Sequence, residues 1–336
     1  MSISNDVLSS TLYSIRDEAV DELYRKTAFL DHAKRSGGIE YEDGGSKIQR
    51  PLMLAEGSSI TALPTGYESV SLAVTDVMQP AVYDWSDMVI PIVITRKDEA
   101  ENKGDKAIVK ILETRFKGAM GQLRRAINQQ ILAGNSVPGL AAGLLTLNGV
   151  ASATGFLENQ VFGSGTNVVG GISKATYAAA NWQNQRDTAA SAYGTNGLVA
   201  SDRLSAAMMS YGGETDVVIM SVAGFANYKR TLQTNERYVD QKVLDGGRMV
   251  LAWGGAVVDV DTFMPTNTGV ATNEFTAYFL DFAGIKLIVH SDLDFKVSEM
   301  ISVPGTTAKT ADIYFKGQLV ADHLASQGVL VLGDTY

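Results

Sequence analysis

The sequence predicts an α+β fold, and three observations carry that prediction. An amphipathic helix runs without a break from near Asp105 to Ala133. The stretch before it, residues 39–97, is strand-like and loop-like, with turn residues between short apolar runs. Residues 196–290 then interleave helical and strand patterns, and the chain ends mostly in strands.

Residues 1–36 read as a helical arm. Leu8, Leu12, Ile15, Ala19, Leu23 and Ala28 recur at helical spacing, with Asp17, Glu18, Asp21, Glu22, Arg25 and Lys26 between them. So thin a stripe docks on another surface rather than making a core. Gly37-Gly38 ends it, as glycines end helices.

In residues 39–97, Val70, Leu72 and Val74 alternate with small polar residues, the period-two sign of a half-buried strand. Val89–Ile94 reads as an edge strand, because Pro91 has no N–H to donate. Ile48–Leu54 offers a partner, and turn residues at 56–59 and 63–66 complete an extended β-arm. Thr95-Arg96-Lys97-Asp98 resembles a capping box, and Asp105 an N-cap.

The long helix buries Ile108, Ile111/Leu112, Phe116, Ala119/Met120, Leu123, Ile127 and Ile131 on one stripe. Lys106, Lys110, Glu113, Lys117, Gln122, Arg124 and Arg125 occupy the opposite side. At ~1.5 Å per residue such a rod spans roughly 40 Å. A rod and an arm suit a building block that reaches its neighbours better than a catalyst.

Residues 134–195 are rich in Gly, Ala, Ser, Thr and Asn. Leu140, Leu144, Leu147, Phe156 and Phe162 argue for packed loops and short strands, with a strand at 176–183 around Trp182; a low-complexity linker is the alternative. Asn196–Tyr211 is helical, with Leu198/Val199, Leu204, Ala207/Met208 and Tyr211 inward. Val217–Met220 is a buried strand, Ser221 caps a second helix, and strands follow near 248–252, 256–261, 276–280 and 286–290. Phe295–Val303, Ala311–Val320 and Gly328–Leu332 are the last strands.

Composition narrows the function. The chain has 336 residues, 45% hydrophobic and 19% charged, which is globular and enough for two domains. No apolar run approaches the ~20 residues needed to cross a bilayer, and the polar start of the chain lacks a signal peptide's apolar core, so the expected site of synthesis is the cytosol. Cysteine is absent, which excludes disulfides and thiolate chemistry. A net charge of −9 argues against nucleic-acid binding as the main task.

Catalytic and metal motifs are missing. His32, His290 and His323 lie far apart. No nucleophile elbow, phosphate loop or dinucleotide fingerprint is present. Asp259 and Asp261 could form a ligand pair on one strand face, but they read better as the end of a strand entering a turn. No catalytic, cofactor or metal residue is therefore assigned, and no cofactor is expected. Arg115, Lys117, Arg124 and Arg125 read as a solvated or subunit-facing side, with Glu113 interleaved. Trp85, Trp182 and Trp253 read as core or interface anchors.

The order of these elements is similar to that of the major capsid proteins of tailed bacteriophages, the Hong Kong 97-like capsid fold. Gly170-Gly171-Ile172-Ser173-Lys174 followed by Trp182 resembles the stretch after the spine helix in that family. Val218–Ser221, Tyr228-Lys229 and Glu236-Arg237-Tyr238 resemble its strand–helix–Arg-Tyr run. Trp253–Val258 resembles its Gly-x-Pro-Val-Val strand, with Ala256 in place of proline, and Phe315–Leu319 its penultimate strand.

The resemblance implies an N-terminal arm (1–43), an extended β-loop (44–97) and a spine helix with peripheral domain (98–195). It further implies an axial domain (196–290), peripheral strands (291–325) and a C-terminal strand returning to the axial domain (326–336). It implies a non-enzymatic subunit that self-assembles through pentamers and hexamers into an icosahedral head shell around a double-stranded DNA genome. Packaged DNA would lie adjacent without sequence-specific binding, and no membrane would be involved. Assembly in the host bacterial cytoplasm, a portal and a separate scaffold protein are implied; no long scaffolding-like segment precedes the arm, unless one was cleaved. Lys110, Lys117, Arg124, Arg125 and Trp85 become candidate inter-subunit contacts, and Lys47 a candidate crosslink donor. The alternatives are an encapsulin-type compartment of the same fold and, from another class, a soluble α+β enzyme with an unrecognised site.

Overall fold

A computed structural model describes residues 27–54, 78–97, 105–134, 143–149, 153–177, 181–189, 193–234, 242–243, 249–267 and 274–333. The expected arm helix over 1–26, the strand around Val70–Val74, the turns at 56–59 and 63–66 and the end of the capping box lie outside these residues.

The chain enters through helix α1 (Ala28–Arg35), which buries Phe29, Leu30 and Ala33 and turns at Gly37, φ +72°. Strand β1 (Ile39–Glu42) follows, then a hairpin of β2 (Lys47–Met53) and β3 (Met78–Asp84), paired in register from Lys47↔Asp84 to Met53↔Met78. The strand expected at Ile48–Leu54 thus exists, but its partner is β3. The apolar run expected to pair with it is β4 (Ser86–Thr95), which pairs with a strand more than two hundred residues away.

That partner is β17 (Ala308–Ala321), the longest strand. β17 holds β4 over ten positions, β14 (Ile285–His290) over five, and the short β15 (Lys296–Val297) and β16 (Ile301–Ser302) at two each; β1 joins in parallel through β14. The strand expected near 286–290 therefore lies in this six-stranded sheet, not beside the Val217–Met220 strand. β4 alternates as its sequence demands: Ser86, Met88, Ile92 and Ile94 are buried, Asp87, Val89, Pro91, Val93 and Thr95 exposed. Its edge is blunted twice. Pro91 has no N–H, and the Arg115 guanidinium donates to the Val93 carbonyl.

The long helix is α2 (Asp105–Leu132). Leu112, Phe116, Ala119, Met120, Leu123, Ile127 and Ile131 are all buried, as their spacing predicts, and the helix packs against β4. Gly134, at φ +64°, closes its end by donating to the Gln130 carbonyl at 3.2 Å.

The Gly-rich region is folded rather than a linker. It contains β5 (Val168–Val169), β6 (Ile172–Ser173), one helical turn α3 (Lys174–Tyr177) and β7 (Gln185–Ala189). Among the described residues of 176–183 there is no strand: a helical turn occupies the start, Asn181 takes φ +68°, and a strand begins at Gln185. Trp182 is buried, so its large ring was a sound sign of core but not of strand. Side chains satisfy the irregular backbone here. Asn167 Nδ2 donates to the carbonyls of Gly149 (2.9 Å) and Gly155 (3.2 Å), and Asn184 exchanges two hydrogen bonds with the Glu158 backbone, each 2.9 Å. Gly155 is packed so tightly that a Cβ would fall 2.2 Å from the Asn148 carbonyl oxygen. Gly155→Ala is expected to cost about 3 kcal/mol, seen as a lowered midpoint in chemical denaturation.

The second sheet has the order β7-β18-β13-β8-β11-β10-β9, with β12 (Thr266–Asn267) on β13. Its members are β8 (Val217–Met220), β9 (Lys242–Val243), β10 (Met249–Trp253), β11 (Ala256–Val260), β13 (Glu274–Leu280) and β18 (Gly328–Gly333). Helices α4 (Tyr193–Ser210) and α5 (Val222–Thr234) share one core with Val218, Met220, Val258, Ala277, Phe279 and Leu330. Val217, Ile219, Tyr278, Leu280, Val329 and Val331 belong to the other core, with α2 and the first sheet. Burial on both faces is why Val217–Met220 reads as an unbroken apolar run rather than an alternating one. Ser221 caps α5, its Oγ accepting from Gly224 N at 3.1 Å. In α4 the inward residues are Tyr193, Ala200, Leu204 and Met208, while Val199, expected inward, is 56% exposed.

Candidate assembly surfaces

Among the described residues no group of three or more His, Asp or Glu could hold a metal ion. Asp259 and Asp261 are buried and committed to the fold. Asp259 takes His32 Nε2 at 3.1 Å, fastening α1 to β11. Asp261 accepts from Asn128 of the long helix at 2.8 Å and from Phe263 N at 2.9 Å. The strand-end reading of this pair agrees with that geometry.

Two surfaces stand out instead. The first is the outer face of the β2–β3 hairpin. Its pleat turns Ile48, Arg50, Leu52, Ala81 and Tyr83 towards the body and leaves Lys47↔Asp84, Pro51↔Pro80 and Met53↔Met78 outside. Met53 and Met78 are 74% and 60% exposed. The two prolines face each other, so neither strand has a donor at that level for adding a further strand. The exposed face of the hairpin is therefore better suited to a partner than its edges at that level. Thioethers adapt to irregular apolar partners, which suits that task.

The second surface is the outward ridge of α2, where Thr114, Lys117, Gly118, Gly121, Gln122 and Arg125 are exposed. A Cβ at Gly118 or Gly121 would meet nothing within 4 Å. Among the described residues neither glycine makes room for a neighbour. Each weakens the helix by roughly 1 kcal/mol relative to alanine.

The candidate contact residues distribute unevenly. Lys117 pairs with Glu113 one turn away at 2.8 Å, Arg125 is exposed and Arg124 half-buried on the same helix. The Lys110 side chain lies outside the described residues. Trp85 belongs elsewhere, at the foot of the hairpin. Its indole N–H donates to the Gly45 carbonyl at 3.0 Å, its ring lies 5.8 Å from that of His290, and the Lys316 ammonium sits 5.7 Å above it. Lys47 bridges to Asp84 at 3.1 Å across the same foot. The sequence reading passed over Gly118, Gly121, Met53 and Met78. Two glycines inside a strong helix pattern were a usable signal; the methionines, twenty-five positions apart, became neighbours only through the hairpin register.

No family model matches the chain, and no curated protein matches it by sequence. Solved structures match its fold closely. The capsid asymmetric unit of cyanophage A-1(L) aligns over 92% of this chain and 93% of its own, with TM-score 0.63 and 15% identity. The capsid of Myoviridae phage XM1 covers 90% of this chain and 92% of its own, at TM-score 0.55 and 12% identity. The capsid of the native GTA particle covers 90% of each, at TM-score 0.53 and 12% identity. The fold expected from the order of elements is therefore the fold observed: that of tailed-phage capsid proteins.

Proposed function

We propose that this chain is a major capsid protein, whose copies assemble through pentamers and hexamers into an icosahedral head shell around double-stranded DNA. The observation that carries the proposal is the pair of outward glycines on α2, paired with an apolar hairpin face that has no partner surface among the described residues. In a shell the hairpin, as the extended loop, lies over a neighbour's α2, the spine helix. Gly118 and Gly121 then let the Met53/Met78 face approach closely, and Lys117, Arg124 and Arg125 flank the contact. Residues 196–284 with the returning β18 form an axial unit, and the six-stranded sheet with α2 a peripheral one.

The net charge of −9 fits a wall that encloses DNA without gripping it. A portal and a separate scaffold protein complete the proposed assembly in the bacterial cytoplasm, with the finished shell as the virion capsid.

Sedimentation and negative-stain microscopy of the purified protein test this reading. Closed icosahedral particles are expected. A species that stays at the 35.9 kDa monomer under every assembly condition and turns over a small molecule would instead favour the enzyme alternative. Particles filled with protein cargo rather than DNA would favour the encapsulin-type compartment. Reversing charge with Arg124→Glu and Arg125→Glu together is expected to leave a folded monomer that no longer assembles; normal particles would refute the role given to that ridge.

A further inference from the structure

Three buried side chains meet in the Gly-rich region: Lys174 at the start of α3, Asn184 just before β7, and Glu158 from the stretch between α2 and β5. Among the described residues Lys174 is the only buried lysine or arginine. Its Nζ donates to the Phe156 carbonyl at 2.6 Å and to Asn184 Oδ1 at 3.5 Å, and lies 3.6 Å from the Glu158 carboxylate. The Asn184 carboxamide is held in place around it. Its Oδ1 accepts the Glu158 backbone N–H at 2.9 Å, and its Nδ2 donates to the carbonyls of Glu158 (2.9 Å) and Gln185 (3.2 Å). A primary amine thus stands against a fixed carboxamide, with a carboxylate beside it and all three out of solvent.

We propose that Lys174 and Asn184 become joined by an amide bond within the folded chain, with Glu158 as the base and ammonium as the leaving product. The chemistry balances without a co-reactant. Glu158 takes a proton from Nζ, and the freed lone pair attacks Asn184 Cγ as Nζ swings from Oδ1 onto the carbon. The C=O π pair moves onto Oδ1, where the Glu158 N–H stabilises the developing charge. When that pair returns, the Cγ–Nδ2 bond breaks. Two of the three Nζ protons, one of them by way of Glu158, leave on Nδ2 as ammonium, and the third stays on the new amide. Burial lowers Lys174 to about 8 from 10.5, which supplies neutral amine close to neutral pH. The product also relieves the site, because an amide buries no net charge and an ammonium does. The bond closes a short loop around Trp182 in a chain that has no cysteine to do so. Both ends lie in one chain, so folding of the monomer is enough to form it. Until it forms, Lys174 and Glu158 are the ion pair seen in the structure, and freshly folded chain denatures as that pair dictates.

Mass spectrometry of the unassembled full chain tests this independently of the shell reading. Folded wild type held at about pH 8 should become lighter by one ammonia. Trypsin should then leave residues 126–186 as one peptide, uncut at Lys174. That peptide should give no backbone fragments between Lys174 and Asn184, because the two ends stay joined. Lys174→Arg keeps the cation but lacks the free amine, and this segment should keep its full mass. Glu158→Gln should slow the loss about a hundredfold, and an unchanged rate overturns the role of Glu158. A wild type that keeps its full mass overturns the bond. So does an ammonia loss accompanied by a complete fragment series from 175 to 184, as succinimide formation at another asparagine would give. If Lys174→Arg does not fold, wild type in denaturant is the control: a link that forms there as fast as in the folded chain overturns the proposal.

Discussion

Gly121→Leu in the long helix is expected to abolish particle formation while leaving a folded, soluble monomer. Among the described residues a larger residue has open space at this position, and leucine is a far better helix former than glycine. Folding alone therefore predicts a gain. The double variant Gly118→Ala/Gly121→Ala should raise monomer stability by roughly 1 kcal/mol per site, read as a higher denaturation midpoint. If the neighbour's hairpin packs on this ridge, the same variants should assemble poorly, and leucine at Gly121 not at all. The opposite signs make the experiment decisive. Stabilised monomers that still form normal particles would show that the ridge faces solvent in the shell.

Lys174→Met is expected to destabilise the fold by ~3–5 kcal/mol, the usual loss when one partner of a buried ion pair is removed. Lys174 is fully buried, and its Nζ donates to the Phe156 carbonyl at 2.6 Å, 3.6 Å from Glu158. The Glu158 carboxylate also accepts the backbone N–H groups of Thr166 and Asn167. Removing the ammonium leaves that carboxylate buried without its cation. Lys174→Met with Glu158→Gln should recover part of the loss, because neither charge then remains.

The pH dependence has a definite sign. Burial lowers Lys174 to about 8 from its ordinary 10.5, with Glu158 opposing the shift. The folded chain thus binds fewer protons than the unfolded chain in that window, and stability contributed by this site rises with pH across it. Denaturation of wild type and variant between about pH 8 and pH 10 should show the slope only in the wild type. Tyr41 and Tyr228, pushed up by burial to about 12, act in the opposite direction only from pH 10 upward.

Much of the fold was legible because burial writes periodicity into sequence. The stripe from Leu112 to Ile131 is buried along its length, since only one face of a rod can meet a core. The unbroken apolar run Val217–Met220 marked a strand covered on both faces. Legibility failed where neighbouring positions compete. In α4 the expected stripe is buried at Leu204 and Met208 and half-buried at Leu198, but Ala200 takes the inward place beside them and Val199 faces outward. It failed again at Trp182, where a φ of +68° at Asn181 broke the expected strand.

By itself the sequence determined the long helix, most of the described strands, and the order of elements that marks this capsid fold. Those properties are local, or follow from the period of apolar residues. Only the tertiary structure decided which strands meet. β4 finds β17 and β18 joins β7 and β13, because backbone donors and acceptors are alike in every strand and the choice rests on shape and burial. The same assembly gave Lys174 its buried carboxylate, consumed Asp259 and Asp261 in contacts with His32 and Asn128, and left Gly118, Gly121, Met53 and Met78 facing outward. Residues far apart in sequence acquire a common environment only when the core that joins them has formed.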